Sequence, residues 1–183
     1  MAPRSARAQE IVETARAMIE SGDGARLTMR RLAGRLRIQA PSLYKHFPDK
    51  DAITAAVHAD YLTEQLAVLE AALGTDSPAH PLVRVMTAYR RFAVEHRELF
   101  DFVFTLPYPD AVDEVLRGLR RTWLRAAGDS DLAVSAYAMA RGMAEMEVHS
   151  LFPLPTMPAD ADNQGVLALV QRAEQLAADQ PAR

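Results

Sequence analysis

Residues 39–50 read QAPSLYKHFPDK, and most of these side chains can hydrogen-bond without doing covalent chemistry. Gln39 and Ser42 carry short donor and acceptor groups suited to the edge of a base. Ala40 and Pro41 are small enough for close approach and for contact with a thymine methyl, and Lys45 can reach guanine or phosphate. Tyr44, His46 and Lys50, with Thr28 and Arg30 upstream, sit where a clamp on a phosphate backbone needs donors. The implied chemistry is recognition of a duplex. Leu43 and Phe47 have a different task, packing a small helical head. Tyr44 suits either role, because its ring is apolar while its hydroxyl can leave a core to meet a phosphate.

Such a set is useful only if helices hold it. Thr28 is placed to cap a short helix over 29–36, with Leu32, Ala33 and Leu36 inward. A break at 37–39 precedes a second short helix, which tolerates Pro41 in its first turn. Upstream, Ala8, Ile11, Ala15, Met18 and Ile19 share one face of a helix over 5–21, and SGDGAR ends it with two glycines. Two short helices joined by a tight turn match a helix-turn-helix, whose second helix enters the major groove by its amino-terminal end.

The rest of the chain also carries a helical period, and no stretch shows sustained alternation with β-branched enrichment. Ile53, Val57, Leu62, Leu66, Leu69 and Leu73 form an apolar stripe on a long connecting helix near 49–73. GTDSPAHP at 74–81 reads as a linker. Leu82, Val85, Tyr89 and Phe92 mark the next helix, and EHREL at 95–99 a helix junction. Val112, Leu116, Leu119 and Trp123 mark another, and Leu132, Ala136, Met139, Met143 and Met146 a further one. A last helix is expected near 163–178. The reading is all-α, with about nine helices: a head over 1–50 that binds DNA and a larger part over 51–183.

Charge separates the same two parts. Residues 1–50 hold ten Lys and Arg against five Asp and Glu, whereas the remaining 133 hold eleven against nineteen. A basic head on an acidic body fits a part that meets phosphates and a part that does not; a solvated basic face is the plainer alternative. The chain has no cysteine, which removes disulfides, thiolate metal sites and a cysteine nucleophile. MAPRSARAQE lacks the apolar run of a secretory signal, no stretch approaches a membrane span, and a cytoplasmic protein is expected. No phosphate loop, nucleophile elbow or Gly-rich dinucleotide turn is present. Glu145 and His149 could share a helix face as metal ligands, but no further ligand set accompanies them. The expectation is no catalytic residue, no metal and no cofactor.

LTMRRLAGRLRIQAPSLYKHFPDKDAI, residues 27–53, resembles the DNA-binding domain of the tetracycline-repressor (TetR) family: a Thr cap, a basic helix, the LYxHF element, and a lysine three residues after Phe47. The resemblance implies a homodimeric, all-helical repressor that leaves its palindromic operator when a small molecule occupies the larger domain. It assigns backbone contacts to Thr28, Arg30, Tyr44, His46 and Lys50, and base contacts to Gln39, Ala40, Pro41, Ser42 and Lys45. Members commonly have glycine where this chain has Arg37. If the backbone there is left-handed, a side chain costs on the order of 1 kcal/mol, and Arg37 can offer an extra phosphate contact in return. YRRFAVEHRELFDFVF and YAMARGMAEME are similar to the subgroup named for a Trp, His, Gly signature. Tyr137 stands for its tryptophan and Arg141 for its histidine, with Gly142 retained.

For the body the residues leave two readings open. Met86, Tyr89, Phe92, Phe100, Phe104, Trp123, Tyr137, Met143 and Met146 can fill a helical core, or together line an adaptable cavity for a small, largely apolar effector. Likewise Ala133, Ala136, Ala140 and Ala144, with Ala168, Ala173 and Ala177, permit close helix packing, either across a two-fold dimer or within one subunit. A constitutive DNA-binding protein would share the head without a cavity, and a helical enzyme or carrier would have no use for the basic head.

Overall fold

The structure, a computed structural model, describes residues 4–109, 112–150 and 168. The last helix expected near 163–178 lies, apart from Ala168, outside the described residues. The described residues form eight α-helices and no strand: α1 (Ala6–Met18), α2 (Met29–Arg35), α3 (Ala40–Tyr44), α4 (Lys50–Gly74), α5 (Pro81–Glu95), α6 (Arg97–Phe104), α7 (Asp113–Ala127) and α8 (Ser130–His149). The all-α expectation holds, as does the junction in EHREL, where His96 separates α5 from α6. Two compact units share the chain. One comprises 1–66 and 95–118; the other comprises 67–94 and the chain from 119 onward.

In the first unit, α1 begins at Ser5, whose hydroxyl accepts from the Ala8 N–H. Ile11, Val12, Ala15 and Met18 are buried along one face. The end of the helix widens over Ile19–Asp23 and turns at Gly22, whose φ of +79° favours glycine. Helix α6 packs against that widened turn. Arginines tie α1 to α4. Arg4 Nη1 donates to both carboxylate oxygens of Asp60 at 2.9 and 2.7 Å. Arg16 forms a two-pronged pair with Glu64, with Nη2 to Oε2 at 2.8 Å, and Arg16 Nε also donates to Glu20 at 2.9 Å. The Glu64 hydrogen bond, opposed by burial and aided by Glu20, raises the Arg16 pKa above its already high value. A bidentate guanidinium–carboxylate pair fixes direction as well as distance, so Arg16–Glu64 sets the register of α1 along α4.

In the second unit, Leu69, Leu82, Val85, Met86 and Tyr89 are buried with Trp123 and Ala126. The end of α4 leaves carbonyls without partners in the helix, and Arg84 satisfies two of them, donating from Nε to Ala72 at 3.0 Å and from Nη2 to Leu73 at 2.9 Å. Asp129 caps α8 by accepting from the N–H groups of Asp131 and Leu132. Ala133, Ala136, Ala140 and Ala144 of α8 are all buried inside the single subunit. For these four, close packing within the chain is what the structure uses.

Candidate nucleic-acid interface

The head is built around Leu43, which is fully buried, with Leu32 and Ala33 of α2 and Phe47 also inward. Burying an aliphatic side chain of this size contributes about 1.5–3 kcal/mol, enough to hold a helix of only five residues. Thr28 starts α2 with extended backbone, and its hydroxyl oxygen accepts from Arg31 N–H at 3.2 Å. At the other end of α2, Ile38 N–H donates to the Ala33 carbonyl at 3.0 Å and Arg37 N–H to the Gly34 carbonyl at 3.2 Å. These are the two bonds of a Schellman cap, whose central residue must be left-handed. Arg37 occupies that place with φ +56°. The backbone of the turn is thus left-handed, and a cation stands where glycine is favoured.

Gln39 then precedes α3 with extended backbone and makes no cap bond with its side chain. Its amide is therefore not consumed locally. Pro41 lies in the first turn, where a missing N–H costs no helical bond. The alternation follows from the short helix: Leu43 points inward, while Gln39, Pro41, Tyr44, Lys45 and His46 are exposed and Ala40 and Ser42 half-buried. Tyr44 is 54% exposed, so it does not serve the core. Asp49 closes the motif by accepting from Ala52 N–H at 2.7 Å, starting α4 immediately after the loop. Thr28, Arg30, Arg37 and Lys50 are exposed as well.

Three further cations accompany this surface. Asp23 lies 3.6 Å from Arg26, 3.6 Å from Arg31 and 3.7 Å from Arg35. All three arginines remain substantially exposed, and the shared carboxylate offsets their mutual repulsion. Sequence reasoning passed over them because their spacing shows a basic helix without showing the acid that gathers them.

The residues named for a ligand do not all come together. Phe100 and Phe104 pack edge to face at 4.7 Å in the first unit. Met86, Tyr89, Phe92, Trp123, Tyr137, Met143 and Met146 belong to the second. There Tyr89, Trp123 and Tyr137 form a mutual edge-to-face cluster with centroids 5.6 to 5.9 Å apart. Arg90 pairs with Glu147 in the same unit. Among the described residues no group of three or more His, Cys, Asp or Glu could hold a metal ion, and no helix is long and apolar enough to cross a membrane.

Among the described residues the elements are all helical, and a cationic, hydrogen-bonding helix stands exposed behind a tight turn, which is the geometry of a helix-turn-helix motif. Residues 11–57 match the family described as bacterial regulatory proteins, tetR family. The chain is similar over most of its length to several solved structures. A TetR-like transcriptional regulator from Rhodococcus sp. RHA1 is 19% identical, with a TM-score of 0.64 and coverage of 96% of this chain and 99% of that one. PfmR, a TetR family transcriptional regulator from Thermus thermophilus, is 21% identical, with a TM-score of 0.61 over 88% and 97%. A single-residue variant of TetR from Acinetobacter baumannii AYE, in complex with minocycline, is 20% identical, with a TM-score of 0.61 over 91% and 95%. At these identities the likeness is one of fold. No curated protein matches the sequence. Residues 11–57 are thus similar to the DNA-binding part of the tetR family, and the solved structures share the fold of the longer chain.

Proposed function

We propose that the protein is a cytoplasmic, homodimeric, ligand-responsive repressor that binds a palindromic operator through residues 1–50 and takes a small effector and its partner subunit through residues 51–183. The observation that carries the reading is the division of labour in α3. Leu43 is wholly buried while Gln39, Pro41, Tyr44, Lys45 and His46 stand exposed and uncommitted to the core. In this reading Gln39, Ala40, Pro41, Ser42 and Lys45 meet base edges. Thr28, Arg30, Arg37, Tyr44, His46 and Lys50 meet phosphates.

Two copies read two half-sites only when their α3 helices are separated by about one turn of the duplex or a multiple. Helix α4 contributes residues to both units, so an effector that shifts it alters that separation. Effector and operator affinities are then coupled reciprocally, commonly by about 1–3 kcal/mol. The test is selection from random-sequence duplexes by the purified chain at near-physiological salt, since low salt rewards electrostatic binding of any sequence. Enrichment of a palindrome with regularly spaced half-sites is expected. Purely salt-sensitive, sequence-blind binding would reduce the head to an electrostatic clamp.

A further inference from the structure

Helix α4 buries a second set of residues that its apolar stripe does not explain. Thr54, His58, Tyr61 and Gln65 recur at spacings of four, three and four, so they share one helical face, and they are 5, 1, 0 and 3% exposed. Thr54 is satisfied locally, its hydroxyl donating to the Asp51 carbonyl at 3.0 Å. His58 Nδ1 and Gln65 Nε2 are shut off from solvent and have no hydrogen-bond partner.

An aromatic ring stands against His58. The Tyr108 ring lies 5.3 Å from the His58 imidazole at 37°. Leu66, the next residue along but about 100° further round the helix, comes so close to α7 that a Cβ on Gly118 would stand 2.6 Å from its Cδ2. An apolar residue of similar shape would fill either position without leaving a desolvated amide or imidazole uncompensated. A few placed polar groups in an apolar wall are the usual make-up of a small-molecule site, and they let it reject analogues lacking the complementary atom. Burial lowers the His58 pKa from its ordinary value, so the ring is neutral at pH 7. A charged ligand group brought between two neutral partners would remain unpaired.

We propose that His58 and Gln65 form a polar subsite for the effector within the first unit, selecting an uncharged molecule with a hydrogen-bond acceptor for Gln65 Nε2 and a hydrogen-bonding group for His58 Nδ1. Seven residues of helix separate the two by about 10 Å along α4, which limits the spacing of the ligand's polar ends. The proposal deepens the ligand-responsive reading above and rests on it.

The test uses 4-hydroxybenzamide, with a polar group at each end, against p-xylene, which has a similar outline and none. Each is titrated into the full-length protein while the His58 imidazole and Gln65 side-chain amide resonances and the melting temperature are followed. 4-Hydroxybenzamide should shift both resonances and raise the melting temperature, and p-xylene should do neither. His58→Phe and Gln65→Leu should each weaken the response about two- to tenfold, the range of one net hydrogen bond. Without any probe, Gln65→Leu should raise the melting temperature, because it removes an unpaired amide. Equal responses to the two probes, no response to either, undiminished responses in both variants, or a lower melting temperature for Gln65→Leu would each overturn the subsite. None of these readouts needs DNA. Failure here therefore leaves the repressor reading standing, whereas failure to select an operator with intact probe responses would remove that reading alone.

Discussion

Gln39 and Gln65 present the same amide in opposite surroundings. Gln39 stands exposed ahead of α3, makes no cap bond, and keeps its hydrogen bonds to water until a partner replaces them. Gln65 is 3% exposed on α4, with its Nε2 paired to nothing. An exposed polar surface costs little while it waits for a large polar partner such as a duplex. A buried polar group destabilises the fold until it is paired, so its retention points to a small ligand. The head thus holds its hydrogen-bonding groups outward over a dry support, while α4 holds its groups inward.

Removing the support of the outward set should have the largest effect. Leu43→Ala should destabilise the head by about 2–5 kcal/mol, seen in chemical denaturation, and DNA binding should disappear with the fold. Gln39→Ala should leave stability unchanged and relax preference at one base pair by about 1–3 kcal/mol. Tyr44→Phe or Lys50→Ala should instead weaken binding to every sequence alike. Measuring each variant on matched and mismatched duplexes separates the two patterns. If Gln39→Ala acts uniformly and Lys50→Ala selectively, the recognition helix has been misplaced.

On the inward side, Gln65→Leu should stabilise the unliganded protein by about 1 kcal/mol, which denaturant titration can detect. A gain of similar or smaller size, up to about 1 kcal/mol, is expected for Arg37→Gly at φ +56°. That change should also flatten the salt dependence of DNA binding if Arg37 meets a phosphate. The smallest effect concerns pH. Burial lowers the folded-state pKa of His58, so the unfolded chain takes up its proton first as pH falls. The stability due to the neutral ring is complete above the ordinary value of about 6.5 and declines as pH falls from there toward the folded value. His58→Phe should remove that part of the slope in melting temperature between pH 7 and pH 5.

The head was largely legible because each of its features is local. A Thr before a basic helix, a break, a proline in a first turn and a leucine two residues later imply the cap, the turn and the buried Leu43 without reference to distant residues. The left-handed turn was signalled only through the resemblance, in which glycine commonly holds the place of Arg37. The polar stripe of α4 escaped because a 3.6-residue period shows one apolar face. Whether the polar residues that lie between Ile53 and Val57 on one side and the leucines on the other meet water or protein depends on which later segments cover them. Tyr108, more than forty residues away, does so for His58. The alanine face of α8 remained ambiguous for a related reason, since small residues permit close approach by any helix, from the same chain or another. The two units explain the division of Phe100 and Phe104 from the other aromatics. Residues 95–118 return to the unit of the head, and no local pattern announces such a return.

The central claim is that the exposed face of α3 reads bases. Its most direct test is the ratio of affinities for a selected duplex and a scrambled one, measured for the native chain and for Gln39→Ala combined with Ser42→Ala across a range of salt. The native chain should prefer the selected duplex by about a thousandfold or more. The double variant should lose most of that ratio while its salt slope stays the same, because its phosphate contacts are intact. An unchanged ratio with a shallower slope would mean that α3 holds the backbone and that the bases are read elsewhere.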